Sequence, residues 1–163
     1  MQHKDTAPSP VSAVAKPEGD TPAPHRWAWV EASIWTERML AALDNGVQGG
    51  RWDSLMDKVA SPRTLAAAWK RVAANKGAAG VDGISITRFQ ARAACYLAEV
   101  ERALRAGSYQ PLPARRVHIP KGPGKTRPLG ISAVKDRIVQ TAITMVVEPI
   151  FEADFHDCSY GYR

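Results

Sequence analysis

Apolar residues recur at helical spacing along much of the chain. In "WAWVEASIWTERMLAALDN", residues 27–45, Trp27, Ile34, Trp35, Met39 and Leu43 fall three, four or seven apart often enough to predict one amphipathic helix. Asn45-Gly46 and Gly49-Gly50 then break the pattern. Ser61 is placed as an N-cap, with Pro62 at the first helical position, where its missing N–H costs nothing. Leu65, Trp69 and Val72 make the apolar face of that helix. Lys70, Arg71 and Lys76 suit the negative end of its dipole, and Gly77 is its expected stop. The glycines at 77, 80 and 83 turn the next segment into a loop. Residues 86–106 predict a third helix, with Phe89, Ala93, Tyr96, Leu97, Val100 and Leu104 spaced for burial and Gly107 closing it.

The period then changes from helical to two. In "ARRVHIPKGPGKTRPLGIS", Val117 and Ile119 alternate with Arg116 and His118, and beyond a Gly-Pro-Gly turn Leu129 and Ile131 alternate again. That is a β-hairpin, with Pro120 and Pro128 expected at strand ends or on an edge, because neither has a donor for the ladder. After Ser132 the helical period returns, with Ile138, Ala142 and Val146 on one line and Val139, Ile143 and Val147 on its neighbour. Pro149 is expected to end or kink this helix near Glu148. The elements together predict an α+β chain.

Composition changes this picture at the N-terminus. The 163 residues are 45% hydrophobic and 23% charged, enough for one domain with its own core. Residues 1–25, however, hold five prolines and no large apolar residue beyond two valines, so they are expected to be a disordered lead-in. No apolar run reaches the roughly 18 residues of a membrane span, and the N-terminus has no apolar signal core. Cys95 and Cys158 are two isolated thiols, which suits a cytoplasmic setting.

Charge changes it more. Residues 102–137 hold nine Lys or Arg against one acid, Asp136, a local +8 in a chain whose net charge is +6. Such a field points to nucleic acid or a nucleotide; an ordinary solvated basic face is the plainer alternative. Within the hairpin, Lys121 closes the first strand and Arg127 opens the second, so the two are expected to face each other across the turn. A mobile ammonium and a planar guanidinium fork would together hold a triphosphate, with Gly122 and Gly124 letting the backbone approach an anion. An exposed turn with solubilising charge fits the spacing as well. "GPGKT" is not a P-loop, because Ile119 stands where the first glycine of GxxxxGK[ST] belongs.

Several blocks together, "GVDGISITRF", "GSYQPLPARRVHIPK", "KTRPLGISAVKDRIVQTAI" and "EPIFEADFHDCSYGYR", closely resemble the reverse transcriptases encoded within bacterial group II introns. The upstream stretch from Trp35 to Gly83 resembles the N-terminal extension of that family, so the likeness runs over residues 33–163 in the expected order. It implies a helical extension over residues 26–76 and a partial reverse transcriptase domain over 77–163, with loop motif, fingers and the start of the palm. Lys121 and Arg127 would be the cations that grip the incoming deoxynucleoside triphosphate. Residues 77–89, with Gly80 and Gly83, resemble a loop that runs along template and primer. Arg115, Arg116, Lys125, Lys135, Arg137 and Gln140 would lie along nucleic acid, and Asp136 begins the fingers helix near the template. "SYGYR" resembles the family's "SYGFR", with Tyr162 in place of phenylalanine.

The resemblance also implies what to expect of the chemistry. Polymerisation of this kind uses carboxylates on palm strands to hold two divalent ions about 4 Å apart. The family places those aspartates beyond the "YGYR" segment, so no catalytic residue and no metal ligand is expected in this chain, and Mg2+ belongs to the complete enzyme. Glu148, Glu152, Asp154 and Asp157 are read as structural or surface acids, and Cys95 as a small core residue. His156 and Cys158 are too few for a zinc site without partners. The partners implied are group II intron RNA, an RNA template with a DNA primer, and a deoxynucleoside triphosphate. The alternatives are a stand-alone module that binds intron RNA, or a degenerate remnant.

Overall fold

The computed structural model describes residues 26–45, 54–156 and 158–159. The expected lead-in at 1–25, the glycine breaks at 46–50, Asp157 and residues 160–163 of the "SYGYR" segment lie outside them. Among the described residues the order is α1 Glu37–Asp44, α2 Leu55–Val59, α3 Pro62–Ala74, α4 Ile86–Gln90, α5 Ala93–Arg105, β1 Arg115–Gly122, β2 Lys125–Ile131 and α6 Val134–Asp154. Helix α6 is the axis, and α1, α2, α3 and α5 all lie against it. Its two apolar lines give Ile138, Val139, Ala142 and Val146 to the core, with Val134 and Met145 beside them. Truncating Ile138 there would cost about 2–5 kcal/mol. One hydrophobic cluster joins Trp27, Trp35 and Leu65 from the N-terminal helices to this face.

The first predicted helix is shorter than its spacing suggested. Residues 26–35 form successive turns, and regular helix starts only at Glu37. A continuous helix would hold Trp27 and Asp44 about 25 Å apart, at 1.5 Å per residue. Instead the Trp27 indole donates to both Asp44 carboxylate oxygens at 3.0 and 3.1 Å, so the segment has folded back along α1. The third predicted helix divides in the same way, by a turn at Ala91-Arg92. Residues seven apart in an unbroken helix would be roughly 10.5 Å apart. The break brings the Phe89 and Tyr96 rings to 4.8 Å, with Trp69 of α3 on the other side of Phe89 at 4.6 Å. Cys95 falls on the outer side of α5 and is exposed, not a core residue as expected.

Helix ends show the capping that the sequence marked, with two differences. Ser61 occupies the N-cap of α3 without a side-chain bond, whereas the Ser85 hydroxyl accepts the Arg88 N–H at 3.2 Å. Helix α3 stops at Ala74, and Lys76 (φ 45°), not Gly77, takes the left-handed position beyond it. Gly107 (φ 64°) closes α5 as expected. Its N–H reaches the Leu104 carbonyl, and the Ser108 N–H reaches that of Ala103, the paired bonds of a Schellman cap.

Pro149 neither ends nor replaces the last turns of α6, which continue to Asp154. A proline leaves the carbonyl four residues earlier without its helical partner. Here that carbonyl belongs to Met145, and the buried Trp35 indole donates to it at 3.0 Å. The missing bond is supplied from the other end of the chain. No helix among the described residues is long and apolar enough to cross a membrane.

Candidate nucleic-acid interface

The hairpin rises from the helical body as a two-stranded antiparallel ribbon, with Val117 paired to Leu129, His118 to Pro128, Ile119 to Arg127 and Pro120 to Thr126. Both strands are edges, so each proline is tolerated inside the pairing instead of only at its ends. Gly122 pairs with Lys125 around Pro123-Gly124, where proline presets the first turn position and Gly124 (φ 65°) accepts the left-handed one. Every residue from 120 to 130 is exposed. Only Val117, Ile119 and Ile131 of the two strands are even half-buried.

The ribbon carries Arg115, Arg116, Lys121, Lys125 and Arg127 and no acid between them, and none of these five cations forms an ion pair with an acid among the described residues. Unpaired, exposed cations on a projecting element keep their full field toward solvent. Lys121 and Arg127 do not stand directly opposite each other. Arg127 is opposite Ile119, and Lys121 is the extra residue of an irregularity between Pro120 and Gly122, so the two are offset by one step.

The remaining sequence candidates lie at the ribbon's base, and most already have protein partners. Lys135 binds Glu99 of α5 at 2.8 Å and lies 5.2 Å over the Tyr96 ring. Arg137 donates to the Ala78 carbonyl at 2.6 Å, and its side chain fills the space that a Cβ at Gly77 would need. Gly80 is buried with its backbone on Ala133, where a Cβ would meet the Ala133 Cα at 2.5 Å. Gly83 (φ 66°) is exposed with open space beside it, and Gln140 is exposed on α6. The hairpin cations therefore form one outward group, while Lys135, Arg137 and Gly80 join the loop before α4 and α5 to the start of α6.

Two residues of this base were not singled out as a pair by the sequence. Asp136 is buried; one carboxylate oxygen accepts from the Tyr109 hydroxyl and the other from the Leu112 N–H at 3.1 Å. Burial, and then the neighbouring Asp136 carboxylate, push the Tyr109 phenol well above its ordinary value, so it stays a donor. A signal existed in the sequence. Asp136 is the lone acid among nine cations, and a lone acid there is best explained by a buried partner of its own. Beside these residues lies a cleft of about 300 Å³ lined by Glu99, Tyr109, Gln110, Leu112 and Asp136. Among the described residues no group of three or more His, Cys, Asp or Glu side chains comes together as a metal ion would require.

No protein-family model matches the chain. Over 115 residues it is 51% identical to Protein YkfC of Escherichia coli (strain K12), a match that covers 69% of this chain and 30% of that protein. Over 66 residues it is 39% identical to the group II intron-encoded protein LtrA of Lactococcus lactis subsp. cremoris, covering 40% of this chain and 11% of LtrA. Over 108 residues it is 30% identical to the putative COX1/OXI3 intron 2 protein of Saccharomyces cerevisiae, 62% of this chain and 12% of that one. The chain thus spans less than a third of the length of the curated relatives it matches. Over part of its length it is similar to several proteins encoded within introns, group II introns among them.

Proposed function

We propose that this chain is the N-terminal part, extension plus fingers, of an RNA-directed DNA polymerase of group II intron type that also assists intron RNA splicing. The observation that carries the reading is the projecting hairpin with five exposed cations and no acid. The partial similarity to intron-encoded proteins supports it. On this reading residues 26–76 are the RNA-contacting extension and 77–163 the beginning of the polymerase domain. Arg115, Arg116 and Lys125 meet phosphates of template and primer, while Lys121 and Arg127 hold the triphosphate of the incoming nucleotide. The carboxylates that would bind Mg2+ lie in polypeptide that this sequence does not include, so the chain alone binds but does not polymerise.

The test is binding of the chain to a structured group II intron RNA across salt, beside an unrelated structured RNA. If all five hairpin cations meet phosphates, log K falls against log salt with a slope of up to about −3.5 to −4.5. A flat profile, or equal affinity for both RNAs, would count against specific intron recognition. In a longer protein that carries a palm, Lys121→Ala or Arg127→Ala is expected to impair nucleotide use at nearly unchanged RNA affinity. An equal loss of both removes the triphosphate assignment.

A second reading, a stand-alone RNA-binding module, is favoured by the single hydrophobic cluster that ties the N-terminal helices to α6. It predicts cooperative unfolding of the isolated chain together with selective RNA binding. A chain without a cooperative transition would be a degenerate remnant.

A further inference from the structure

Three consecutive charged residues in the first turn of α6 each hold a different part of the chain. Lys135 holds α5 through Glu99, Asp136 holds residues 109–112, and Arg137 holds the loop at Ala78. The hairpin is rooted in this turn by both legs. Its outgoing leg is continuous with α6, since only Ser132 and Ala133 separate β2 from Val134, and Ala133 is fully buried against Gly80. Its incoming leg is different. Between the Schellman cap of α5 and the start of β1, residues 110–114 are all exposed and outside regular structure. Among the described residues, the hydrogen bonds that tie residues 109–114 to the helices are the two to Asp136.

We infer that Asp136, acting through Tyr109 and Leu112, is a positioning residue that fixes the direction in which the basic hairpin projects. One anchored leg leaves a ribbon free to swing about its root; two anchored legs define a plane. A carboxylate suits the task because its two oxygens serve two donors at once, and charge-assisted bonds of this kind are roughly twice as strong as neutral ones. Burial also keeps this acid away from the surface where it would repel a polyanion. A fixed hairpin meets RNA with its ordering cost already met, which is the advantage of a pre-organised binding element. The inference rests on the reading above only for its RNA arm.

The experiment places spin labels at Thr126→Cys on β2 and Lys70→Cys on α3, in a Cys95→Ser, Cys158→Ser background of the whole chain, and measures the distance distribution between them. Tyr109→Phe, which removes one hydroxyl, is expected to broaden that distribution clearly, and Asp136→Asn to broaden it further, at unchanged helix content. Should Asp136→Asn fail to fold, Tyr109→Phe decides alone. A distribution of unchanged width in a folded Tyr109→Phe chain overturns the inference, because a merely structural bond lowers stability without freeing the hairpin. The intron RNA affinity of Tyr109→Phe is expected to fall roughly five-fold with the salt slope unchanged, since the same phosphates are met at a greater ordering cost. An unsubstituted chain that binds no RNA ends the functional reading, while the label distances still decide the role of Asp136.

Discussion

Pro149 gives no hydrogen to the Met145 carbonyl, and the indole of Trp35 gives one at 3.0 Å. Trp35→Phe keeps most of the ring and removes only the donor, so it isolates this bond. Leaving a buried carbonyl unpaired is expected to cost about 1–3 kcal/mol, read as a lower urea midpoint at unchanged slope. A second contrast at this scale separates two glycines that the sequence marked alike. At Gly80 an added Cβ would press on the Ala133 backbone, whereas at Gly83 it would meet nothing but sits at φ 66°. Both alanine variants are expected to lose about 1–3 kcal/mol, from crowding at 80 and from backbone conformation at 83. Asparagine tolerates the left-handed region, so Gly83→Asn recovers most of the loss and Gly80→Asn none. Equal behaviour of the two asparagine variants in thermal melts would remove the distinction. Spacing alone identified both as loop residues; which constraint each obeys depends on Ala133, more than fifty positions away.

Among the elements, those with a strong period or a strong turn were legible. The hairpin declared itself by alternation around Gly-Pro-Gly, and α6 by two adjacent apolar lines. The breaks that sequence reasoning missed have no glycine or proline to announce them. Ala91-Arg92 interrupts a good helical pattern because Phe89 and Tyr96 stack, and residues 26–35 leave the helix because Trp27 returns to Asp44. In both cases tertiary contact overrides local preference. Helix α2 is five residues long, too short to leave a period. For the interface, the charge run located the ribbon correctly as an element. It could not separate the cations that face solvent from Lys135 and Arg137, whose partners Glu99 and Ala78 lie in other segments.

For the whole molecule, the buried Tyr109 phenol links folding to proton binding. Its value in the folded chain is raised above the ordinary 10.0, so the folded state holds this proton more tightly than the unfolded one. The stability this contributes is complete below about pH 10, and it is lost as pH rises from there toward the folded value. Tyr109→Phe lacks the linkage. The stability difference between the two chains is therefore expected to stay constant from neutral pH to about 9 and to shrink above about 10. Urea unfolding at matched pH values measures it, and a difference that grows with alkali contradicts the assigned environment.

The two legs of the ribbon meet at one turn of α6, and nothing from residue 120 to 130 is buried. Length and aim are consequently encoded in separate places. Residues added at Pro123-Gly124 would lengthen the arm without touching the core. One residue added between Ile131 and Val134 would rotate α6 by about 100° relative to the ribbon. Either the arm would then point elsewhere, or Ile138 and Ala142 would leave the core. Reach can vary freely from one related protein to another, but the two-residue joint at Ser132-Ala133 has almost no freedom to change its length.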